Sequence, residues 1–272
     1  MQYFRHSLLL FFVSFISLSH NSPYDLVTSL DEALIASPYD AHLYFKRAQL
    51  HQQAHNLALA FRDYQYAQQY DSSSIQVYPL IFAELFTQHH LPHFAQTYLD
   101  QLDEFNLHTA RTFWLQGTIF WQTHEDNLAF YYYEQSLHLD HLAPPWQYIF
   151  VVEHLLASDS SNLSRALSLL AKGQDRLGFL VSIQDYAFRI ALHHKAPQLA
   201  LSLLSDLLSH QPQSISYLLE KAQLLGSLGL DSLSYITYDK ALAIIASLPA
   251  HRRVSPLVRQ QRHTITQHLK HR

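Results

Sequence analysis

Histidine is the residue type with the most obvious capacity for chemistry in this 272-residue chain, which contains 20 of them. The pairs His51/His55 and His89/His93 have the i, i+4 spacing that can place two imidazoles on one face of a helix, as a metal site requires. The second histidine of each pair is predicted to lie beyond a helix end, and neither pair has an evident third ligand. Solvent-facing histidines are therefore the favoured interpretation, with metal binding or pH sensing as the alternative.

Other catalytic arrangements have little support in the sequence. Five glycines and the lack of any cysteine leave no phosphate-binding loop, thiolate metal site, disulfide or cysteine nucleophile. The adjacent acids Asp103/Glu104 and Glu125/Asp126 are predicted near helix termini, where a solvated carboxylate interacts favourably with the helix dipole. We expect a protein that is not an enzyme and that uses no cofactor and no metal.

The element that must position these side chains is a repeated helix. A small residue recurs at intervals of 34 to 37 residues, at Ala60, Ala95, Ala129, Ala166, Ala200 and Ser234. A bulky residue follows each of them four positions later, at Tyr64, Leu99, Tyr133, Leu170, Leu204 and Tyr238. This spacing marks one face of a helix, because helices that approach closely admit only Ala, Ser or Gly at their contact. The pattern predicts a helical repeat.

In most units a second helix is predicted before the helix that carries the recurring small residue. Small residues lie twelve positions upstream of the recurring one, at Ala48, Ala83, Gly117 and Ala222. Each unit is therefore predicted to be an antiparallel pair, helix A followed by helix B. Helix B is predicted to begin near the capping or first-turn residues Asn56, Pro92, Asp126, Pro197 and Asp231.

The pattern resembles that of the tetratricopeptide repeat (TPR) family. In the unit from Ala41 to Ser74, the residues Tyr44, Ala48, Ala60, Tyr64, Ala67 and Asp71 fall at the expected positions. Arg47 departs from the pattern, since the family prefers Leu there. The resemblance implies an all-α, right-handed superhelical solenoid of about six helix pairs. A half-repeat around Leu26, Leu30 and Ala33 precedes them and a basic capping helix follows.

The resemblance also implies that the A helices line a concave surface that binds an extended peptide or a partner helix. The predicted partner-binding residues are Phe45, Gln49, Gln52, Arg111, Trp114, Thr118, Trp121 and Gln147. Aromatic side chains, an arginine and amides suit such an interface. The alternative for Trp114 and Trp121 is simple packing between helices. No basic clamp for a terminal carboxylate is evident.

The ends of the chain differ in composition from the body. Residues 1–19 combine Arg5, an apolar run and small residues at Ser17 and Ser19, which predicts a secretory signal peptide cleaved after Ser19. The repeat domain at 20–250 has 11 Lys or Arg against 22 Asp or Glu, a formal charge of −11, which disfavours nucleic-acid binding. The segment 251–272 has six basic residues and no acid. No segment of the mature chain is predicted to span a membrane.

These observations favour an exported bacterial TPR protein, periplasmic or otherwise outside the cytoplasm. Its predicted function is a non-catalytic scaffold in the periplasm or cell envelope that binds a protein or peptide. The sequence indicates no oligomeric state. Two alternatives remain open, a solenoid subunit of an envelope polysaccharide export or modification complex, and a metal- or pH-responsive module that uses the histidine-rich edge.

Overall fold

A computed structural model describes residues 23–71, 77–103 and 108–270 of the chain. The predicted signal peptide and its cleavage site lie outside these residues. The described residues form fifteen α-helices and one 3-10 turn at Ser160–Asn162. The helices are α1 (Pro23–Ala36), α2 (Ala41–Gln53), α3 (Leu57–Tyr70), α4 (Tyr78–Gln88), α5 (Pro92–Asp103), α6 (Ala110–Gln122), α7 (Asp126–Leu139), α8 (Pro145–Ser158), α9 (Leu163–Leu177), α10 (Val181–His193), α11 (Pro197–His210), α12 (Ile215–Ser227), α13 (Asp231–Ser247), α14 (Ala250–Arg253) and α15 (Pro256–Leu269).

Helix starts follow local sequence signals. The Asn56 side chain accepts a hydrogen bond from the Leu59 amide at 3.3 Å and so caps α3, as predicted. Pro92 and Pro197 begin α5 and α11, where a missing N–H costs nothing because the first turn has no intrahelical acceptor for it. Thr109 caps α6 in a reciprocal capping box with Thr112.

Consecutive helices pack as A–B pairs in α2/α3, α4/α5, α8/α9, α10/α11 and α12/α13, and α6 and α7 follow in the same order between them. Helix α1 comes before the pairs, and α14 and α15 come after them. Within each unit, an A helix also packs on the preceding B helix, as α4 does on α3 and α12 on α11. The prediction of an all-α repeat fold with about six helix pairs is confirmed.

The recurring small residues lie at the helix contacts, as the pattern requires. Ala60, Ala95, Ala129, Ala166 and Ala200 are completely buried, and Ser234 is 5% exposed. The side chains four positions later are all buried too, because they fill the space beside each contact. Ser234 remains compatible with burial because its hydroxyl donates to the carbonyl of Ala222 on the paired helix at 2.7 Å.

The first repeat has a charged group in its core that the pattern did not predict. The Asp63 side chain is completely buried and accepts two hydrogen bonds from Arg47, at 2.7 and 2.9 Å. Arg47 also donates to Asp31 of α1 at 2.6 Å. The departure at Arg47 therefore has a structural reason, since this guanidinium neutralises a buried carboxylate and attaches α1 to the first pair.

The basic C-terminal segment is divided where a single helix was predicted. The prediction was one capping helix at 251–272, whereas α14 ends at Arg253 and α15 begins at Pro256. Ser255 caps α15 by accepting from the Val258 amide at 3.4 Å, and a proline at the first helical position fits this start. Ile265 of α15 is completely buried against α12 and α13, as expected for a capping helix.

The described helices belong to two compact units, one up to Tyr132 and the other from Tyr133 onward. The boundary falls within α7. The first unit contains the A helices α2, α4 and α6, and the second contains α8, α10 and α12. None of the described helices combines the length and apolar character needed to cross a membrane.

Candidate functional site

The A helices of the first unit carry all but one of the predicted partner-binding residues. Amide hydrogen bonds connect these helices at their C-terminal ends. Tyr64 donates to Gln52 Oε1 at 2.7 Å, and Gln52 Nε2 donates to Gln88 Oε1 on the next A helix at 2.6 Å. Gln122 Nε2 in turn donates to the Thr87 carbonyl at 2.9 Å. We call Gln52, Gln88 and Gln122 the amide ladder, and it joins α2, α4 and α6.

An ion pair also joins two of these helices. The Arg111 guanidinium of α6 donates to both carboxylate oxygens of Glu84 on α4, with Nη2 to Oε2 at 2.6 Å. The Arg111 side chain is 64% exposed, so the pair faces solvent. The hydrogen bonds to Glu84 raise the pKa of Arg111 above its ordinary value. This pair therefore presents a fixed positive and a fixed negative group on the surface.

The two tryptophans lie on the same helix as Arg111. Trp114 and Trp121 are both half-buried, and the Trp121 ring lies 5.9 Å from the Phe130 ring on α7. Thr118 lies between them in sequence and donates its hydroxyl to the Trp114 carbonyl at 2.9 Å. Packing between helices therefore accounts for part of the Trp121 surface, while both rings keep an accessible part that a partner could contact.

The remaining predicted residues have different environments. Phe45 is half-buried against Tyr64 and Tyr78, with ring centroids 5.4 and 6.4 Å apart, so it belongs to the edge of the core. Gln49 is exposed on α2. Gln147 lies on α8 in the second unit, and its side-chain oxygen is buried without a hydrogen-bond partner.

The second unit has a polar cluster on its A helices that the sequence analysis missed. Arg189 of α10 pairs with Glu220 of α12 at 2.9 Å and with Asp185 at 3.4 Å. Burial, followed by the charge of Glu153, raises the pKa of Tyr186 on α10. Burial and Asp185 likewise raise the pKa of Tyr217 on α12. The i, i+4 spacing of Asp185 and Arg189 was the available signal, but the family pattern is weak in helix A of the fifth repeat.

The histidines of the A-to-B turns have an unusual backbone conformation. His55, His90 and His124 have φ of 55°, 55° and 64°, and Lys195 and Gly229 adopt the same left-handed conformation at equivalent turns. Glycine is the usual residue in this region, because a side chain there meets the following carbonyl. We call these three residues the turn histidines.

Among the described residues, no group of histidines is arranged to hold a metal ion. His51 lies within α2 and His55 beyond its end, so the first i, i+4 pair does not share a helix, as expected. The His55 and His89 rings are 6.3 Å apart. Across residues 23–71, 77–103 and 108–270, no three His, Asp or Glu side chains come close enough to hold a metal ion. Burial lowers the pKa of His51 and of His89.

Comparison with solved structures finds several proteins of similar architecture. PilW, a widely conserved type IV pilus biogenesis factor, is 17% identical, with a TM-score of 0.52, over 70% of this chain and 87% of that chain. The C-terminal part of a TPR repeat-containing protein from Cytophaga hutchinsonii is also 17% identical, with a TM-score of 0.53, over 74% of this chain and 79% of that one. Yeast Tom70 is 15% identical, with a TM-score of 0.50, over 90% of this chain and 47% of its own length.

No protein-family model and no curated protein matches the sequence. Three observations identify the fold: the consecutive helix pairs, the buried small residues at a period near 34 and the likeness to solved TPR structures. The chain therefore has the tetratricopeptide-repeat fold.

Proposed function

We propose that the protein is a non-catalytic scaffold that binds a peptide or a partner helix on the A helices of its first unit. The observation that carries this proposal is the rigid cross-linking of this surface by the amide ladder and by the Arg111–Glu84 pair. A surface held in place before binding loses less conformational entropy when a partner docks. The partly exposed side chains of Trp114 and Trp121 supply the aromatic anchors that commonly dominate such interfaces.

The chemistry of the surface favours a partner with an accessible backbone. The exposed amides of Gln49 and Gln88 can donate to and accept from peptide groups. Arg111 and Glu84 lie in a single pair, so the surface has no strong excess of either charge. Phe45 and Gln52 contribute by holding this surface in place, because both are engaged with Tyr64.

Replacement of Trp114 and Trp121 by Ala tests the proposal. The double variant should weaken capture of the native partner from envelope extract at least about thirtyfold, which corresponds to about 2 kcal/mol. The matched control is Trp146→Ala, because Trp146 is 47% exposed on α8 in the second unit and is the only other tryptophan. Circular dichroism and thermal melts establish that the variants remain folded.

The outcome distinguishes binding from folding. Trp121 packs on Phe130, so a double variant that loses binding only in step with its helical signal would contradict the assignment. The single variant Trp114→Ala, which leaves the Trp121–Phe130 contact in place, separates the two effects. Unchanged capture by the double variant would also contradict the proposal.

We also propose that the protein acts in the periplasm or cell envelope after export. The support is the sequence of residues 1–19, with Arg5, an apolar run and small residues flanking Leu18. Mass spectrometry of the protein recovered from its native host should find His20 as the first residue. A full-length chain retained in a membrane fraction would contradict cleavage after Ser19.

A further inference from the structure

Four tyrosine side chains of the first repeat lie together on the surface of the first unit. They are Tyr39 in the turn between α1 and α2, Tyr44 on α2, and Tyr66 and Tyr70 on α3. The ring centroid of Tyr44 lies 5.1 Å from that of Tyr66 and 5.6 Å from that of Tyr70. The Tyr39 ring meets the Tyr70 ring edge to face, with centroids 5.4 Å apart. We call these four residues the tyrosine cluster.

The cluster is exposed, and it is separate from the amide ladder. Tyr39 is 74% exposed and Tyr66 is 38% exposed, and their rings rest on the half-buried rings of Tyr70 and Tyr44. Tyr44 lies near the start of α2, whereas Gln52 lies near its end, about 12 Å further along the helix. A molecule bound at the cluster would therefore leave the ladder accessible.

The hydroxyl groups of the cluster can serve as hydrogen-bond donors. Tyr44 donates to the carbonyl of Pro38 at 3.2 Å. Among the described residues, the hydroxyls of Tyr39, Tyr66 and Tyr70 have no hydrogen-bond partner. A phenol donates as well as accepts, so the cluster offers donors to a segment whose carbonyls are exposed.

Charged groups beside the cluster are engaged elsewhere. The carboxylate of Asp40 caps α2. The Arg47 guanidinium lies 5.5 Å from the centroid of the Tyr44 ring, but two carboxylates neutralise it. Arg62 lies 3.5 Å from one of these carboxylates, that of Asp63. The cluster therefore presents aromatic faces and hydroxyls, which disfavours a strongly charged partner.

We propose that the tyrosine cluster is a docking site for an uncharged, proline-rich segment of another protein, bound in the polyproline II conformation. Such a segment has no internal hydrogen bonds, so its carbonyls accept from a partner, and its prolines have no N–H to satisfy. The hydroxyls of the cluster supply the donors, and the exposed faces of Tyr39 and Tyr66 pack against the proline rings. The bond from Tyr44 to the carbonyl of Pro38 is an example of the same contact within the chain.

Calorimetric titration of the full-length protein with decaproline tests this site. Decaproline with blocked termini is the probe because it is uncharged and adopts the polyproline II conformation. Tyr39→Ala/Tyr66→Ala removes the two most exposed rings of the cluster and should weaken binding at least about tenfold. The matched control is Tyr24→Ala, since Tyr24 is 79% exposed on α1 and lies outside the cluster. This control should bind like the wild type.

Two further variants separate the contributions to binding. Tyr39→Phe/Tyr66→Phe keeps both rings and removes their hydroxyls, so decaproline should bind about threefold more weakly than to the wild type. Trp114→Ala, on α6, should leave decaproline binding unchanged, because the cluster does not include that helix. The cluster and the proposed surface on the A helices can therefore succeed or fail separately. Thermal melts establish that each variant remains folded.

Several results would overturn the proposal. A wild type that does not bind decaproline at millimolar concentration would show that the cluster is no site for such a segment. Unchanged binding by Tyr39→Ala/Tyr66→Ala would place the peptide elsewhere. Equal binding of a glycine–serine peptide of the same length would show no selection for polyproline II. Maltohexaose that binds the wild type, when decaproline does not, and is lost in the alanine variant would assign the cluster to a neutral sugar instead.

Discussion

In the first unit, consecutive A helices are joined by glutamine amides and one ion pair, whereas in the second unit they are joined by the Asp185–Arg189–Glu220 cluster. The apolar contacts of the two units are alike, since both bury alanine at the same repeat position without any exposure. The comparison shows that the small residues define the repeat and leave the polar side chains of the A helices to vary. Those polar side chains are where a partner would distinguish one unit from the other.

The largest expected difference between the units concerns their arginines. Arg47→Leu should lower the free energy of unfolding by about 3 to 5 kcal/mol, because the completely buried Asp63 would lose its two hydrogen bonds to a cation and would keep only the longer contact with Arg62 at 3.5 Å. Arg189→Leu should cost less than about 1 kcal/mol, since its side chain is 47% exposed. Denaturant unfolding followed by circular dichroism measures both.

A double variant tests whether the buried charge of Asp63 causes the loss of stability in Arg47→Leu. Arg47→Leu/Asp63→Leu removes both charges from the core and should recover most of the stability lost in the single variant. Equal losses for Arg47→Leu and Arg189→Leu would mean that the Arg47–Asp63 pair is no more important than a surface ion pair.

The second prediction tests the likeness of the two units. Ala129→Leu in the first unit and Ala200→Leu in the second should each destabilise by about 1 to 3 kcal/mol, because a larger side chain overpacks a completely buried contact. Ala171→Leu, at an exposed position of α9, is the control and should have little effect. An unchanged unfolding midpoint in Ala129→Leu would remove the close-contact interpretation for the first unit.

A third prediction concerns high pH. Burial, followed by the charge of Glu84, raises the pKa of Tyr64 from its ordinary 10.0 to about 12. The folded state therefore holds this proton more tightly than the unfolded state. The resulting stability is fully present below pH 10 and is lost as the pH rises towards 12. We expect a loss of about 1 to 2 kcal/mol from this group.

Tyrosine variants show which side chain causes the loss of stability at high pH. The pH dependence of unfolding between pH 10 and 12 should be shallower in Tyr64→Phe than in the wild type. Tyr186→Phe should have a similar effect, because burial and Glu153 raise the pKa of Tyr186 in the second unit. Tyr39→Phe, at a 74% exposed position, is the control. A Tyr64→Phe variant with the full wild-type slope would contradict the assignment.

The smallest expected effect is at the A-to-B turns. His55→Gly should stabilise the first unit by about 0.5 to 1 kcal/mol, because its φ of 55° is costly for any side chain. Gly229→Ala, at a φ of 73° in the second unit, should destabilise by about 1 kcal/mol for the same reason. Thermal melts of the two variants should move in opposite directions. A lower melting temperature for His55→Gly would show that the imidazole makes a stabilising contact.

The sequence predicted the repeat and most of its helix starts because these depend on local signals. Ala60 with Tyr64 and Ala200 with Leu204 report one helical face, and Asn56 and Pro197 mark helix starts whatever the rest of the chain does. The family pattern was therefore sufficient to predict the fold.

The polar contacts could not be predicted in the same way. Arg47 and Asp63 lie on different helices, so the family pattern marks Arg47 as a departure without showing its partner. The bonds from Gln52 to Tyr64 and to Gln88 likewise join residues 12 and 36 positions apart. The assignment of Trp114 and Trp121 to a binding surface remains a prediction, since burial alone does not show what contacts their exposed parts.

The nearest-neighbour packing of the helices has a consequence for how the chain folds. Within each unit, helices contact those one to three places away along the chain, so few contacts require distant segments to meet first. Such a topology folds rapidly and can nucleate at more than one place. Local opening should begin where a helix has fewest neighbours. Among the described helices, α1 makes its main contact with α2, so the ion pair from Arg47 to Asp31 should also slow the detachment of α1.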